Sequence, residues 1–142
     1  MSIQTGFTDQ ALLRLSTGAY NYNTNAFKVA LYTSSATLGP STTVYSSTNE
    51  LSGGGYTAAG YALTNVTGIV SARTLLITWS DVTTGTLTQS DIRGAMVYNT
   101  TVSNEAVYIV DFGANRPKVG ETLTIKFPQS SAGVGTIQLR IG

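Results

Sequence analysis

Short segments in which apolar and polar side chains alternate recur along this chain, and they limit the folds available to it more than any other feature. Residues 27–33 read FKVALYT and residues 121–127 read ETLTIKF, so every second side chain is apolar. A period of two residues is that of a β-strand with one face towards a core. Similar segments follow one another with Gly, Pro and Asn between them, which predicts about seven or eight short strands.

These segments fill a chain of 142 residues, which is long enough for one domain with a real core. We therefore expect an all-β single domain, a β-sandwich or a jelly-roll-like fold, with one short N-terminal helix. Residues 1–26 would form an N-terminal arm, the helix and a loop rich in Tyr and Asn. Residues 27–142 would form the β-sandwich domain.

The helix signal lies near the N-terminus, after Thr8 and Asp9, either of which can cap it, and Gly18 is its predicted end. Its apolar residues are Ala11, Leu12, Leu13 and Leu15. Two roles stay open for this helix. It closes one end of the domain's own core, or it docks on a partner.

Charge is scarce in this chain. Charged residues make up 11% of the sequence, the net charge is +1, and Lys and Arg are spread singly. The sequence therefore lacks the basic patch that nucleic-acid binding requires, and a weakly charged surface is poorly protected against association. No signal peptide or apolar membrane span is recognisable. We expect a protein made in a cytoplasm that works in an assembly, without a nucleic-acid or membrane partner.

Catalytic residue patterns are missing from the sequence. It has no Cys and no His, which removes thiol chemistry, the commonest general base and the commonest neutral metal ligand. The remaining enzyme hypothesis is a glycosidase that uses two carboxylates among Asp81, Asp91 and Asp111, each beside a predicted strand end. Acids at strand ends more often cap turns. We therefore predict no catalytic residues, no cofactor and no metal site.

Three consecutive glycines, Gly53, Gly54 and Gly55, separate a polar stretch from an apolar, β-prone one. A phosphate-binding loop would require a helix to start at these glycines. The residues that follow predict a strand instead. The triplet is therefore interpreted as a tight turn into a core strand, with backbone close to a neighbouring chain.

Four segments appear in a recognisable order. They are FKVALYT at 27–33, TNELSGGGYTAAG at 48–60, RGAMVYN at 93–99 and AVYIVDFG at 106–113. This order resembles small virion structural proteins of tailed bacteriophages, over roughly residues 27–127. The resemblance implies a capsid decoration (cement) protein on the outer shell, often a homotrimer, which clamps subunits of the phage major capsid protein. A tail, neck or fibre-attachment protein is the alternative role.

Seven residues are predicted to contact the partner: Ile3, Phe7, Tyr20, Tyr22, Gly53, Gly54 and Gly55. A second hypothesis is a carbohydrate-binding module for host recognition, in which Trp79 and the tyrosines would stack on a surface glycan. A single tryptophan is more often a core residue than a sugar platform. Burial of Trp79 would argue against that version of the hypothesis.

Overall fold

The computed structural model describes residues 2–71, 74–127 and 137–140, and its largest element is a five-stranded antiparallel sheet. One helix, α1, spans Asp9–Thr17. The strands lie at Gly6–Phe7 (β1), Phe27–Tyr32 (β2), Tyr61–Ala62 (β3), Asn65–Ser71 (β4), Thr74–Trp79 (β5), Val82–Thr83 (β6), Leu87–Gln89 (β7), Gly94–Asn99 (β8), Glu105–Asp111 (β9), Lys118–Glu121 (β10), Thr124–Ile125 (β11) and Ile137–Arg140 (β12).

The large sheet has the order β1-β9-β8-β2-β3, and smaller antiparallel sheets are formed by β12-β5-β4, by β10-β7 and by β11-β6. Seven of the described strands have four residues or more. The prediction of an all-β domain with short strands and one short helix is thereby confirmed. The main core holds residues of the large sheet together with residues of β5, β7 and β11, so it lies between layers.

Strand β2 is covered on both faces. Phe27, Val29 and Leu31 enter the main core, as the alternation predicts. Ala30 and Tyr32, on the other face, belong to a second buried cluster that also includes residues of the N-terminal arm and of the loop after β2. The sequence pattern did not predict this second buried cluster, because the alternation of one strand does not show that Ile3 and the loop after β2 fold over its other face.

Aromatic rings form the centre of the main core. Trp79 has no exposed surface. Its ring lies 5.3 Å from that of Phe27, 5.6 Å from that of Phe127 and 6.4 Å from that of Tyr22, in edge-to-face contacts. Such pairs stabilise a core beyond the area that they bury. The interpretation of Trp79 as a core residue is confirmed.

Helix α1 begins and ends at the predicted residues. The side-chain oxygen of Thr8 accepts a hydrogen bond from the backbone N–H of Ala11 at 3.0 Å, and it donates one to the carbonyl oxygen of Ala106 in β9 at 2.7 Å. Gly18 adopts a φ of +72°, a conformation that suits glycine, and ends the helix. The cap therefore fixes the start of α1 directly on the large sheet.

Glu105, the first residue of β9, holds the rest of this N-terminal segment. Its carboxylate accepts hydrogen bonds from Arg14 Nε at 3.0 Å, Arg14 Nη2 at 2.6 Å and Tyr20 Oη at 2.7 Å. Tyr20 and Tyr22, both buried, belong to the main core. Residues 1–26, predicted as an arm, a helix and a loop, thus contribute an edge strand and four buried core side chains, Ile3, Ala11, Tyr20 and Tyr22, to the β domain.

The contact with Arg14 predicts a loss of stability in acid. The hydrogen bonds from Arg14 lower the pKa of Glu105 below its ordinary value of 4.5. A carboxyl with a lowered folded pKa stabilises the fold above its unfolded pKa, and this contribution disappears as the pH falls through the folded pKa. We expect urea midpoints to fall more steeply between about pH 5 and about pH 2 in the wild type than in Glu105→Gln.

Glu121→Gln is the matched control, because the Glu121 carboxylate is exposed and makes one long contact, 3.6 Å, with Lys118. We expect this variant to follow the wild-type curve. Parallel curves for the wild type and Glu105→Gln would show that Glu105 does not contribute to the acid response.

Candidate interaction surface

The predicted contact residues do not form one surface. Ile3, Tyr20 and Tyr22 are more than nine-tenths buried within the chain. Phe7 is half-buried and packs edge-on against Tyr108, with ring centroids 4.8 Å apart. These side chains have little surface to offer another chain in this conformation, and their contact with a partner stays a prediction.

The arm docks on its own sheet because a glycine makes room for it. A Cβ atom at Gly94 in β8 would lie 2.7 Å from Ile3 Cδ1, so any larger residue there would push Ile3 away. The backbone N–H of Gln4 donates to the carbonyl oxygen of Leu38 at 2.9 Å, next to this contact. Gly94 was recognised in the sequence as part of RGAMVYN, but its partner 91 residues earlier could not be.

The glycine triplet approaches another part of the same chain. Gly53, Gly54 and Gly55 adopt φ values of +65°, +55° and +84°. A Cβ atom at Gly54 would overlap the carbonyl oxygen of Thr88, and one at Gly55 would overlap that of Thr86. The close backbone approach inferred from the sequence is therefore real, but the described neighbour is the β7 segment of the same chain.

Hydrogen bonds hold the glycine triplet against the β7 segment. The backbone N–H of Thr88 donates to the carbonyl oxygen of Gly54 at 2.8 Å, and the Gln89 side chain donates to that of Gly53 at 2.6 Å. No helix follows the glycines: the backbone N–H of Tyr56 bonds back to Gly53 at 3.0 Å in a turn. The triplet thus lacks the geometry of a phosphate-binding loop.

Glu50, just before the triplet, organises the whole stretch. Its carboxylate accepts hydrogen bonds from Tyr45 Oη at 2.7 Å, from Tyr56 Oη at 2.7 Å and from the backbone N–H of Ala59 at 2.8 Å. The three donors lie on both sides of Glu50 in the sequence. One side chain therefore fixes the end of the loop after β2 and the turn that leads towards β3.

Tyrosine hydroxyls connect this network to the large sheet. Tyr56 Oη also accepts the backbone N–H of Leu31 in β2 at 3.0 Å, and Tyr98 donates to the carbonyl oxygen of Ala59. Burial, reinforced by the hydrogen bond to Glu50, raises the pKa of Tyr56 far above its ordinary value. Its hydroxyl therefore stays protonated, and remains a donor, at neutral pH.

The other recognisable motif residues are also used by the fold. Arg93 Nε donates a hydrogen bond of 2.8 Å to the Asp111 carboxylate at the end of β9, the strand that pairs with β8. This hydrogen bond is the main reason that the pKa of Asp111 lies below its usual range. The buried Asn99 accepts the backbone N–H groups of Thr101 and Val102 and closes the turn after β8. These residues position backbone segments of the sheet.

The three acids of the glycosidase hypothesis have separate local partners. Asp81 accepts the backbone N–H of Phe127 at 2.9 Å, Asp91 accepts the backbone N–H and hydroxyl of Ser34, and Asp111 binds Arg93. Neither of the two cavities below is lined by any of them. Across the described residues, no group of acids is arranged to hold a metal ion.

Two cavities open on the described surface. The larger, about 500 Å³, is an apolar groove between the end of β9 and β11, with Tyr108, Val110 and Phe112 on one side. The smaller, about 280 Å³, lies beneath the loop between β2 and Glu50 and is lined mainly by hydroxyl and amide side chains. The sequence indicated the importance of that loop only through its length, since the lining is completed by Tyr32 of β2 and Met96 of β8.

Accessible apolar side chains lie elsewhere on the surface. The large exposed ones among the described residues are Leu12, Leu13, Val44, Val70 and Val119. Trp79 is not among them, so it is not able to stack on a sugar. In the part of the chain that the structure describes, no helix has the length and apolar character needed to cross a membrane.

Comparison with known proteins gives no relative: no family model, no curated protein and no solved structure matches this chain.

The glycine triplet yields a prediction that separates crowding from backbone strain. In Gly53→Ala the new methyl group meets open space, so we expect only the cost of a left-handed residue, about 1 kcal/mol. In Gly54→Ala it also overlaps the Thr88 carbonyl oxygen, so we expect a loss of about 3 kcal/mol or more. Urea unfolding measures both values, and equal losses would contradict the close approach.

The Glu50 network predicts a cost for a nearly isosteric change. Glu50→Gln replaces one acceptor oxygen by an NH₂ group that faces another donor, so we expect a loss of about 1–3 kcal/mol. We also expect faster hydrogen exchange at the Ala59 amide, which donates to this carboxylate. Glu121→Gln serves as the exposed control. Unchanged exchange at Ala59 would show that the carboxylate does not fix the loop.

Proposed function

We propose that this protein is a non-enzymatic virion structural protein of a tailed bacteriophage, and that it acts as a capsid decoration protein on the major capsid protein shell. Its sequence motifs resemble those of such proteins. The role is attachment: the domain presents a preformed surface that docks across joints between capsid subunits and stabilises the assembled shell by mass action. In a trimer, several such contacts would add up through avidity.

The observation that carries this proposal is the use of the motif residues. The segments that resemble phage structural proteins form the neighbouring strands β2, β8 and β9, and the Glu50 loop is fastened across them. In an enzyme, the most recognisable residues would be expected to converge on a cleft. Here they hold one scaffold together, which supports a role in structure and attachment.

A candidate contact surface lies beside Glu105. Leu12 and Leu13 on α1 are 50% and 56% exposed, and Val44 is 47% exposed. Val44 pairs with Glu105 in an isolated bridge, and Glu105 also binds Arg14 of α1. We call the side chains of Leu12, Leu13 and Val44 the helix patch. Their shared link to Glu105 places them in one region of the surface, and exposed apolar residues on a weakly charged protein are typical of docking surfaces.

Tail, neck and fibre-attachment proteins remain the alternative roles, because they would need the same kind of scaffold. Electron cryo-microscopy of particles that contain this chain distinguishes the roles. Density for the domain on the shell, at three-fold or quasi-three-fold positions, supports decoration. Density confined to the neck or the tail would overturn decoration and support the alternative.

The helix patch predicts which residues attach the protein. We expect the double variant Leu12→Ser with Leu13→Ser to bind undecorated capsids of the parent phage at least about tenfold more weakly, because it removes apolar surface from the contact. Co-sedimentation measures the occupancy. This variant is more informative than deleting residues 1–7, since Ile3 is a core residue and its loss would disturb the fold.

Val119→Ser is the matched control, because Val119 is 79% exposed and lies on β10, which pairs with β7 outside the large sheet to which α1 is fastened. We expect this variant to bind as the wild type does. Circular dichroism and the urea midpoint verify that each variant is folded. Equal occupancy of the wild type and the double variant would exclude the helix patch as the attachment surface.

A further inference from the structure

Apart from Val44, which also belongs to the helix patch, the residues that line the smaller cavity have no part in the proposed attachment surface. Seven of its ten lining residues carry a hydroxyl or an amide, and none is charged. The remaining three, Leu38, Val44 and Met96, are apolar. Leu38 and Met96 are buried in the second core cluster, so they form an apolar base beneath the polar residues.

Free hydrogen-bonding groups line the pocket. Within the described residues, the hydroxyls of Ser35 and Thr37 make no hydrogen bond, and both residues are exposed. The Thr48 hydroxyl accepts from Ser46 Oγ at 3.1 Å and keeps its own proton to donate. The Asn49 amide donates to the Ser35 carbonyl oxygen at 3.2 Å, and its oxygen remains an acceptor. A ligand therefore meets donors and acceptors without charge.

The walls of the pocket are held in place before any ligand arrives. Tyr32 Oη, from β2, donates to the Ser46 carbonyl oxygen at 2.7 Å. The backbone N–H of Gly39 donates to the Thr42 hydroxyl at 2.9 Å. The loop ends at Glu50, which is fixed by its three donors. A preformed site loses less conformational entropy on binding than a loop that must first order itself.

We infer that this pocket is a binding site for a neutral saccharide, with room for one sugar ring. A sugar ring carries hydroxyls around its edge and C–H groups on its faces, which match the polar wall and the apolar base. The volume of about 280 Å³ lies just below the range of roughly 300–1,000 Å³ for drug-sized ligands. The uncharged lining offers no opposite charge to offset the cost of removing a phosphate or a carboxylate from water.

This site is independent of the place of the protein in a particle, and it differs from the carbohydrate hypothesis that relied on Trp79. Only one ring fits and all contacts are neutral, so single-site binding is weak, with Kd in the millimolar range. Many copies on one surface would compensate through avidity. Binding of a bacterial surface glycan and binding of a free sugar would use the same chemistry.

The test is a titration of the ¹⁵N-labelled full chain, followed by two-dimensional NMR. Glucose, galactose, mannose and N-acetylglucosamine are the neutral probes, and glucose 6-phosphate is the charged probe. We expect at least one neutral sugar to shift the amides of Ser35, Thr37, Thr48 and Asn49 in a saturable way, and the phosphate ester to bind more weakly than glucose. Purified bacterial surface polysaccharide forms a second arm, since shifts with the polymer identify a glycan source and shifts with the ring alone identify a soluble sugar.

Thr37→Val tests the site directly, because it removes a free hydroxyl and keeps the shape of the side chain. We expect affinity for the binding sugar to fall roughly three- to tenfold. Thr57→Val is the matched control, since Thr57 is exposed and lies outside the pocket, and we expect no change. The inference is wrong if no neutral sugar shifts the pocket amides, or if Thr37→Val and Thr57→Val bind the sugar equally well.

Discussion

The carboxylate of Glu50 fixes the end of the loop after β2 and the turn that leads towards β3. The polar groups of a loop outside the regular strands need hydrogen-bond partners. The Glu50 carboxylate is the acceptor for two tyrosine hydroxyls and one backbone N–H of this region. The Tyr56 hydroxyl in turn accepts a hydrogen bond from the backbone N–H of Leu31 in β2. A carboxylate that accepts several hydrogen bonds at once gives up its water at a lower cost than one with a single partner.

The strands were predictable because their information is local. Alternation in residues 27–33 identifies β2 without knowledge of any other part of the chain. The alternating segment 121–127 was wrongly predicted as one strand: it holds only the last residue of β10 and the two-residue strand β11. The cap at Thr8 and the end at Gly18 were predictable for the same reason, since helix ends are set by a few adjacent residues. The all-β class followed from these local signals together.

The interaction residues were less predictable, because their environment is made by distant segments. Ile3 and Tyr20 suggested a free arm and an exposed aromatic loop, but Gly94 and Glu105 bring them onto the sheet. The glycine triplet does approach another backbone segment closely, but that segment is β7 of the same chain, and the next strand, β3, is a two-residue edge strand instead of the predicted core strand. A pattern reveals that a residue needs a partner, and only the fold shows which one it has.

Two carboxylates therefore control two different surfaces. Glu105 fixes α1 and with it the helix patch, whereas Glu50 fixes the loop that bounds the saccharide pocket. The two regions meet at Val44 and Tyr45, whose backbone groups contact Glu105 and Asn104. Because each anchor uses its own donors, a change at one should alter its own surface first. Val44 belongs to both regions, so only the other residues of the proposed attachment surface and of the proposed saccharide pocket can be varied separately.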